Sequence, residues 1–152
     1  MDSAERYSRQ TMLPELGAEG QKRLSATKIL LVGAGGLGSP IATYLTAAGI
    51  GTLGIIDADK VSFSNLQRQT LYTEDEVGQS KVECAYKRLR GLNHEVSIRT
   101  YDCFLTKYNA EEIIAGYDIV VDGCDNFATR FIINDICIAA GKPYIYGSIQ
   151  GM

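Results

Sequence analysis

The chain has 152 residues, of which 45% are hydrophobic and 22% charged, and a net charge of −3. That length suits one domain on a scale of roughly 100–200 residues each, with enough apolar material for a core. The acidic balance excludes a general nucleic-acid binder, and no apolar run reaches the about 20 residues of a membrane span. Met1-Asp-Ser-Ala-Glu-Arg6 lacks a signal-peptide pattern, so a cytoplasmic protein is expected.

In chain order, residues 4–25 read as a polar, amphipathic segment, so 1–27 is expected to form an N-terminal helical arm and 28–152 the main domain. Short β-branched runs bounded by turn residues predict strands over 28–33, 52–57, 95–101, 117–122 and 143–148. Helices are expected from Leu37 to Ala48, stopped by Gly49, and from Asn126 to Ala140, stopped by Gly141. A third, from Lys81 to Leu92, would place Val82, Ala85, Tyr86 and Leu89 on one face. The alternation predicts an α/β fold: a Rossmann-like, doubly wound, mainly parallel sheet covered on both faces. A ligand then belongs at the carboxyl ends of the strands, near the switch in strand order. Cys84, Cys103, Cys124 and Cys137 are widely spaced, which suits free thiols in a reducing compartment; no zinc is expected in this chain.

The first strand runs into Gly33-Ala-Gly35-Gly36-Leu-Gly38, a G-x-G-x-x-G turn, and the second ends in the acid Asp57. Gly33 permits a tight turn, Gly35 and Gly36 allow phosphates or ribose to approach the backbone, and Gly38 lets the following helix pack close. The helix N-terminus offers N–H groups to an anion, and Asp57 is placed to accept hydrogen bonds from ribose hydroxyls. This pattern points to a nucleotide without saying which one. The next segment narrows the field. Asp59, Asn65, Arg68 and Gln69 follow within a dozen residues, then Lys81 at a helix start and Asp125 past the fourth strand. Cations and a metal-capable carboxylate converging on one crevice suit a triphosphate and its Mg²⁺.

The sequence resembles the bacterial E1-like adenylyltransferases, the superfamily of MoeB, ThiF, HesA and the ubiquitin-activating enzymes. The matching elements are Arg6-Tyr-Ser-Arg9-Gln10, the Gly33–Gly38 turn, Asp57-x-Asp59, Ser64-Asn65-Leu-Gln-Arg68-Gln69, Lys81, Asp122-Gly-Cys-Asp125-Asn126, Arg130 and Gly147-Ser-Ile-Gln-Gly151. The resemblance implies ATP-dependent adenylylation of the C-terminal carboxylate of a ubiquitin-like sulfur-carrier protein of the ThiS/MoaD kind, with release of pyrophosphate. It implies that Asp57 holds ribose, that Asn65, Arg68 and Lys81 position the triphosphate, and that Asp125 helps hold Mg²⁺. It further implies a homodimer in which Arg9 reaches the phosphates of the opposite subunit. Related enzymes continue well past the matching region, so the chain is expected to be the nucleotide-binding half of such an enzyme.

Simpler readings stand beside these. Asp125 suits a helix N-cap, Lys87, Arg88 and Arg90 a solvated face, Glu74-Asp-Glu76 a solvated turn, and the nine tyrosines core edges. A nicotinamide-dependent oxidoreductase shares the fingerprint, although the chain has one histidine, His94, and no Tyr-x-x-x-Lys pair. A non-catalytic ATP-binding module is the other alternative.

Overall fold

Strand β1 (Lys28–Val32) is buried along nearly its whole length. Successive strand residues point to opposite faces, so Ile29 and Leu31 enter one core while Leu30 and Val32 enter another. A computed structural model describes residues 3–149 in this arrangement; Gln150, Gly151 and Met152 lie outside the described residues. Four further strands, β2 (Thr52–Ile56), β3 (Ser97–Tyr101), β4 (Ile119–Asp122) and β5 (Tyr144–Tyr146), form a five-stranded sheet in the order β3-β2-β1-β4-β5. All four pairings are parallel. The chain steps outward from β1 to β3 and then crosses back to β4, so the strand order reverses between β1 and β4.

Three helices precede the sheet: α1 (Ser3–Arg6), α2 (Ser8–Thr11) and α3 (Gly17–Ala26). Four follow: α4 (Gly38–Ala48), α5 (Lys81–Leu92), α6 (Ala110–Ala115) and α7 (Phe127–Ala140). Ala42 of α4 and Val82, Ala85 and Leu89 of α5 close one face of the sheet. Ala110 and Ile114 of α6 with Ile133 and Cys137 of α7 close the other. Each large aliphatic side chain removed from water in this way stabilises the fold by about 1.5–3 kcal/mol before chain entropy is counted.

The expected strands and helices are present, with ends one or two residues shorter. Some expectations need correction. Tyr86 is exposed and Cys84 is buried on α5, because the buried arc of the helix runs from Cys84 and Lys81 through Ala85 and Leu89 to Val82 and leaves Tyr86 at its rim. Helix α6 was not foreseen, since six residues carry too little periodicity to be read. Glu74–Glu76 is the solvated turn expected, one 3₁₀ turn closed by reciprocal hydrogen bonds with Thr73. Not all tyrosines are core edges, since Tyr44 and Tyr108 are largely exposed.

The arm packs at the amino edge of the sheet. Gln10 and Gln21 both donate to the carbonyl of Ala48 at the end of α4, at 3.0 and 2.9 Å. The Tyr7 hydroxyl donates to Glu95 (3.0 Å) and accepts from Asn93 (2.8 Å). Its ring fills the space that a Cβ on Gly49 would occupy, and Gly49 ends α4 with φ +83°.

Candidate functional site

The glycine turn is built by close backbone contact. Gly33 has φ +91°, and a Cβ there would sit 3.0 Å from the backbone of Gly123 and Cys124. A Cβ on Gly38 would run into the Gly33 carbonyl. Between them, buried Ala34 is held at both ends of its backbone. Its N–H donates to Asp57 Oδ2 (2.8 Å) and its carbonyl accepts from the Tyr72 hydroxyl (2.7 Å). Burial pushes the Tyr72 phenol well above its ordinary value, so it stays a donor at any ordinary pH. Helix α4 then starts at Gly38 with no side-chain cap; the Ser39 N–H donates to the Gly35 carbonyl (2.9 Å) and Pro40 has no N–H.

Asp57 links this turn to the next segment, because its Oδ1 accepts from the Asp59 N–H at 2.8 Å. The Asp59 carboxylate pairs with Lys81 Nζ at 3.1 Å, and the Lys81 N–H donates to the Asp59 carbonyl at 3.0 Å. The Lys81 side chain is only 5% exposed although it is charged, and the ammonium keeps further N–H groups for a ligand. Asn65 ends a 3₁₀ turn, and its carbonyl accepts from the N–H groups of Arg68 and Gln69. That turn lays Arg68 over Gly36 and Gln69 over Gly35, each about 3.5 Å or less from where a Cβ would stand. Gln69 is buried with Oε1 unpartnered, and its Nε2 stands beside Gly35 in the glycine turn.

At the end of β4, Asn126 accepts from the N–H groups of Ala128 and Thr129 and caps α7, a contact worth typically ~1 kcal/mol. Asp125 is therefore not the cap. It is exposed and faces the cleft, making no hydrogen bond or ion pair with any described residue. Arg130, one turn into α7, reaches back to Cys124 and Asp122.

These groups share one cleft of about 470 Å³, a size typical of small-molecule sites. Gly33, Gly35, Gly36, Asp57, Asp59, Asn65, Arg68, Gln69, Lys81 and Asp125 all line it, and Gly38 shapes the turn from beneath. Arg9 does not line it; the arm that carries Arg9 docks at the opposite edge of the sheet. Sequence reasoning missed the apolar wall, Cys103, Phe104 and Leu105, which follows β3. The signal was available: these residues leave the same carboxyl edge as the recognised groups. Phe104 is exposed on that wall.

A model of the ThiF family matches residues 7–152. The chain belongs to the ThiF family. It is 48% identical over 148 residues to a sulfur carrier protein adenylyltransferase of Thermus thermophilus, covering 97% of this chain and 55% of that protein. It is 46% identical over 145 residues to the SAMP-activating enzyme E1 of Haloferax volcanii, covering 95% and 54%. A solved structure of the E. coli tRNA N6-threonylcarbamoyladenosine dehydratase TcdA in complex with ATP superposes with a TM-score of 0.87 at 30% identity, covering 93% of this chain and 58% of that one. The chain thus spans about half the length of these ThiF-family relatives.

Two thiols of this ThiF-family cleft, Cys103 and Cys124, differ in setting. Burial, and then a hydrogen bond and charge from Asp122, push the Cys124 thiol up to about 11. Because only the thiolate reacts, Cys124 is about a thousandfold depleted in its reactive form at pH 8. Its alkylation by iodoacetamide, read by peptide mass, is expected to rise about tenfold per pH unit from 8 to 10. Levelling off at the ordinary thiol value near 9 would contradict this.

Proposed function

We propose that this chain binds ATP with Mg²⁺ and serves to adenylylate the C-terminal carboxylate of a ubiquitin-like sulfur-carrier protein of the ThiS/MoaD kind, releasing pyrophosphate. The observation that carries the reading is the gathering of Asn65, Arg68, Lys81 and Asp125 in one cleft around an uncapped glycine turn. A dinucleotide oxidoreductase has no use for that many phosphate-binding groups. The names of the relatives support the same chemistry for the family region.

The residues divide the work by their position. Asp57 keeps lone pairs for ribose hydroxyls, because each of its oxygens accepts one backbone N–H. Gln69 lines the cleft with its Nε2 beside Gly35, where it can meet the ligand. Asn65, Arg68 and Lys81 hold the triphosphate and offset its charge as pyrophosphate leaves. The attacking carboxylate is already ionised at pH 7, so alignment and charge neutralisation suffice without a protein base.

Among the described residues no cluster of three or more His, Cys, Asp or Glu is placed to hold a metal. That fits Mg²⁺, which is held by one or two carboxylates with substrate phosphates and water. Asp125 is the free carboxylate for it, since Asp59 is engaged by Lys81. The ion would supply charge neutralisation on the phosphates.

A role for Arg9 requires the cleft of a second copy, because its own arm docks at the far edge of the sheet. Exposed Phe131 and Ile138, seven residues apart on α7, leave an apolar stripe on that helix that supports a homodimer. No helix among the described residues is long and apolar enough to cross a membrane, which suits the cytoplasmic setting of such a pathway.

A second reading, an ATP-binding unit that does not adenylylate by itself, is favoured by the chain's span of about half its relatives' length. Both readings require ATP in the cleft. Calorimetric titration is expected to show one site for Mg²⁺-ATP and far weaker binding of NAD. Tight NAD binding without a response to ATP would overturn both.

A further inference from the structure

Asp122 is a carboxylate with 0% exposure at the end of β4. An enclosed charge persists only when paired and hydrogen-bonded. Here Oδ1 accepts from the Cys124 N–H (2.8 Å), Oδ2 accepts from the Tyr144 hydroxyl (2.7 Å), and Arg130 Nε stands 3.4 Å from Oδ2 as an ion pair. Arg130 is held from several sides, although its Nε makes no hydrogen bond. Its Nη2 donates to the Cys124 carbonyl (2.6 Å) and its Nη1 to the Tyr146 hydroxyl (2.9 Å). The rings of Phe127 and Tyr146 lie 5.4 and 4.7 Å from the guanidinium carbon.

With its charge met by Asp122 and one donor of each Nη engaged, Arg130 is tied to the turn although it lines the cleft. What the pair holds is Cys124: Asp122 takes its N–H and Arg130 its carbonyl. Cys124 immediately precedes Asp125, and Asn126, immediately after, is fixed by capping α7. Asp125 has no contact of its own to set its position, so its neighbours set it.

We propose that Asp122 and Arg130 act as a positioning pair that holds the Gly123–Asn126 turn and so presents the Asp125 carboxylate to the cleft. The proposal rests on the reading of Asp125 as the Mg²⁺ carboxylate. An ångström of misplacement in such a group has large consequences, so the pair governs metal use without touching ligand.

Hydrogen exchange and calorimetry on the whole chain test this. Arg130→Lys keeps the charge but cannot span Asp122, the Cys124 carbonyl and Tyr146 together. Exchange of the Cys124 amide, which donates to Asp122, is expected to quicken at least about tenfold in Arg130→Lys and Arg130→Met, with β1 amides unchanged. Unchanged exchange at the turn overturns the pair. In Arg130→Lys the Mg²⁺ concentration needed for ATP binding is expected to rise about tenfold, and in an Asp125→Ala background the same substitution should add nothing. An additive shift in both backgrounds means that Arg130 meets the nucleotide itself, and overturns the proposal. If Arg130→Met does not fold, Tyr146→Phe, which removes one acceptor from an exposed residue, carries the exchange test. A wild-type chain that binds no ATP overturns the nucleotide reading alone, and the exchange result still decides the pair.

Discussion

Lys81→Met and Asp125→Ala are each expected to lower adenylylation by about 10²–10³-fold in an active assembly, the scale of losing one preorganised transition-state contact. Methionine keeps the buried stem of Lys81 and removes only the ammonium, which stands 3.1 Å from an Asp59 that water still reaches. Asp125 is exposed and Asn126 supplies the α7 cap, so its removal should leave stability within about 0.5 kcal/mol of wild type. Activity and melting should therefore separate. Near wild-type pyrophosphate exchange in Asp125→Ala would leave that residue without a function. The same variant reports on Arg9. Mixing inactive Arg9→Ala chains with inactive Asp125→Ala chains should restore part of the activity, because one mixed site combines an intact arm with an intact Asp125. No recovery despite proven subunit exchange would remove the role in trans.

Gly38→Ala is expected to damage fold and site together. A methyl group there would overlap the Gly33 carbonyl, and Gly33 is itself pressed against the Gly123–Cys124 backbone. The strain has nowhere to relax, since Ala34 is tied to Asp57 and Tyr72. Overpacking of this kind costs typically 1–3 kcal/mol, which lowers the melting temperature by several degrees in a domain of this size. ATP affinity should fall with it, because the displaced backbone is the proposed phosphate cradle. Gly78→Ala is the contrast, since Gly78 has φ +87° but open space around its Cβ position. It should cost stability through its backbone angle and leave ATP binding unchanged. A Gly38→Ala chain with wild-type melting would contradict the close-contact account of the turn.

The strands could be read from the sequence because β1 and β2 are almost wholly buried, and a continuous β-branched run between turn residues is what two covered faces demand. The carboxyl-edge rule then brought Asp57, Lys81 and Asp125 to one cleft from three separate segments. What escaped was tertiary. Asn126 wins the cap over Asp125 because the helix starts at Phe127, a one-residue difference that pattern reading does not resolve. The Phe104 wall carries no charged motif, and the Asp122–Arg130 pair depends on β5 tyrosines that only the folded sheet brings near. The docking of the arm through Tyr7 depends on Gly49, a residue legible in the sequence only as a helix stop.

If this cleft activates a carboxylate with ATP, pyrophosphate exchange reports the step itself. The chain is incubated with Mg²⁺, ATP, labelled pyrophosphate and a small carrier protein ending in Gly-Gly. Label is expected to enter ATP only when the carrier is present, and to be lost when its C-terminal carboxylate is amidated. Exchange that is indifferent to the carrier's carboxylate, or absent although ATP binds and the carrier docks, would contradict the account.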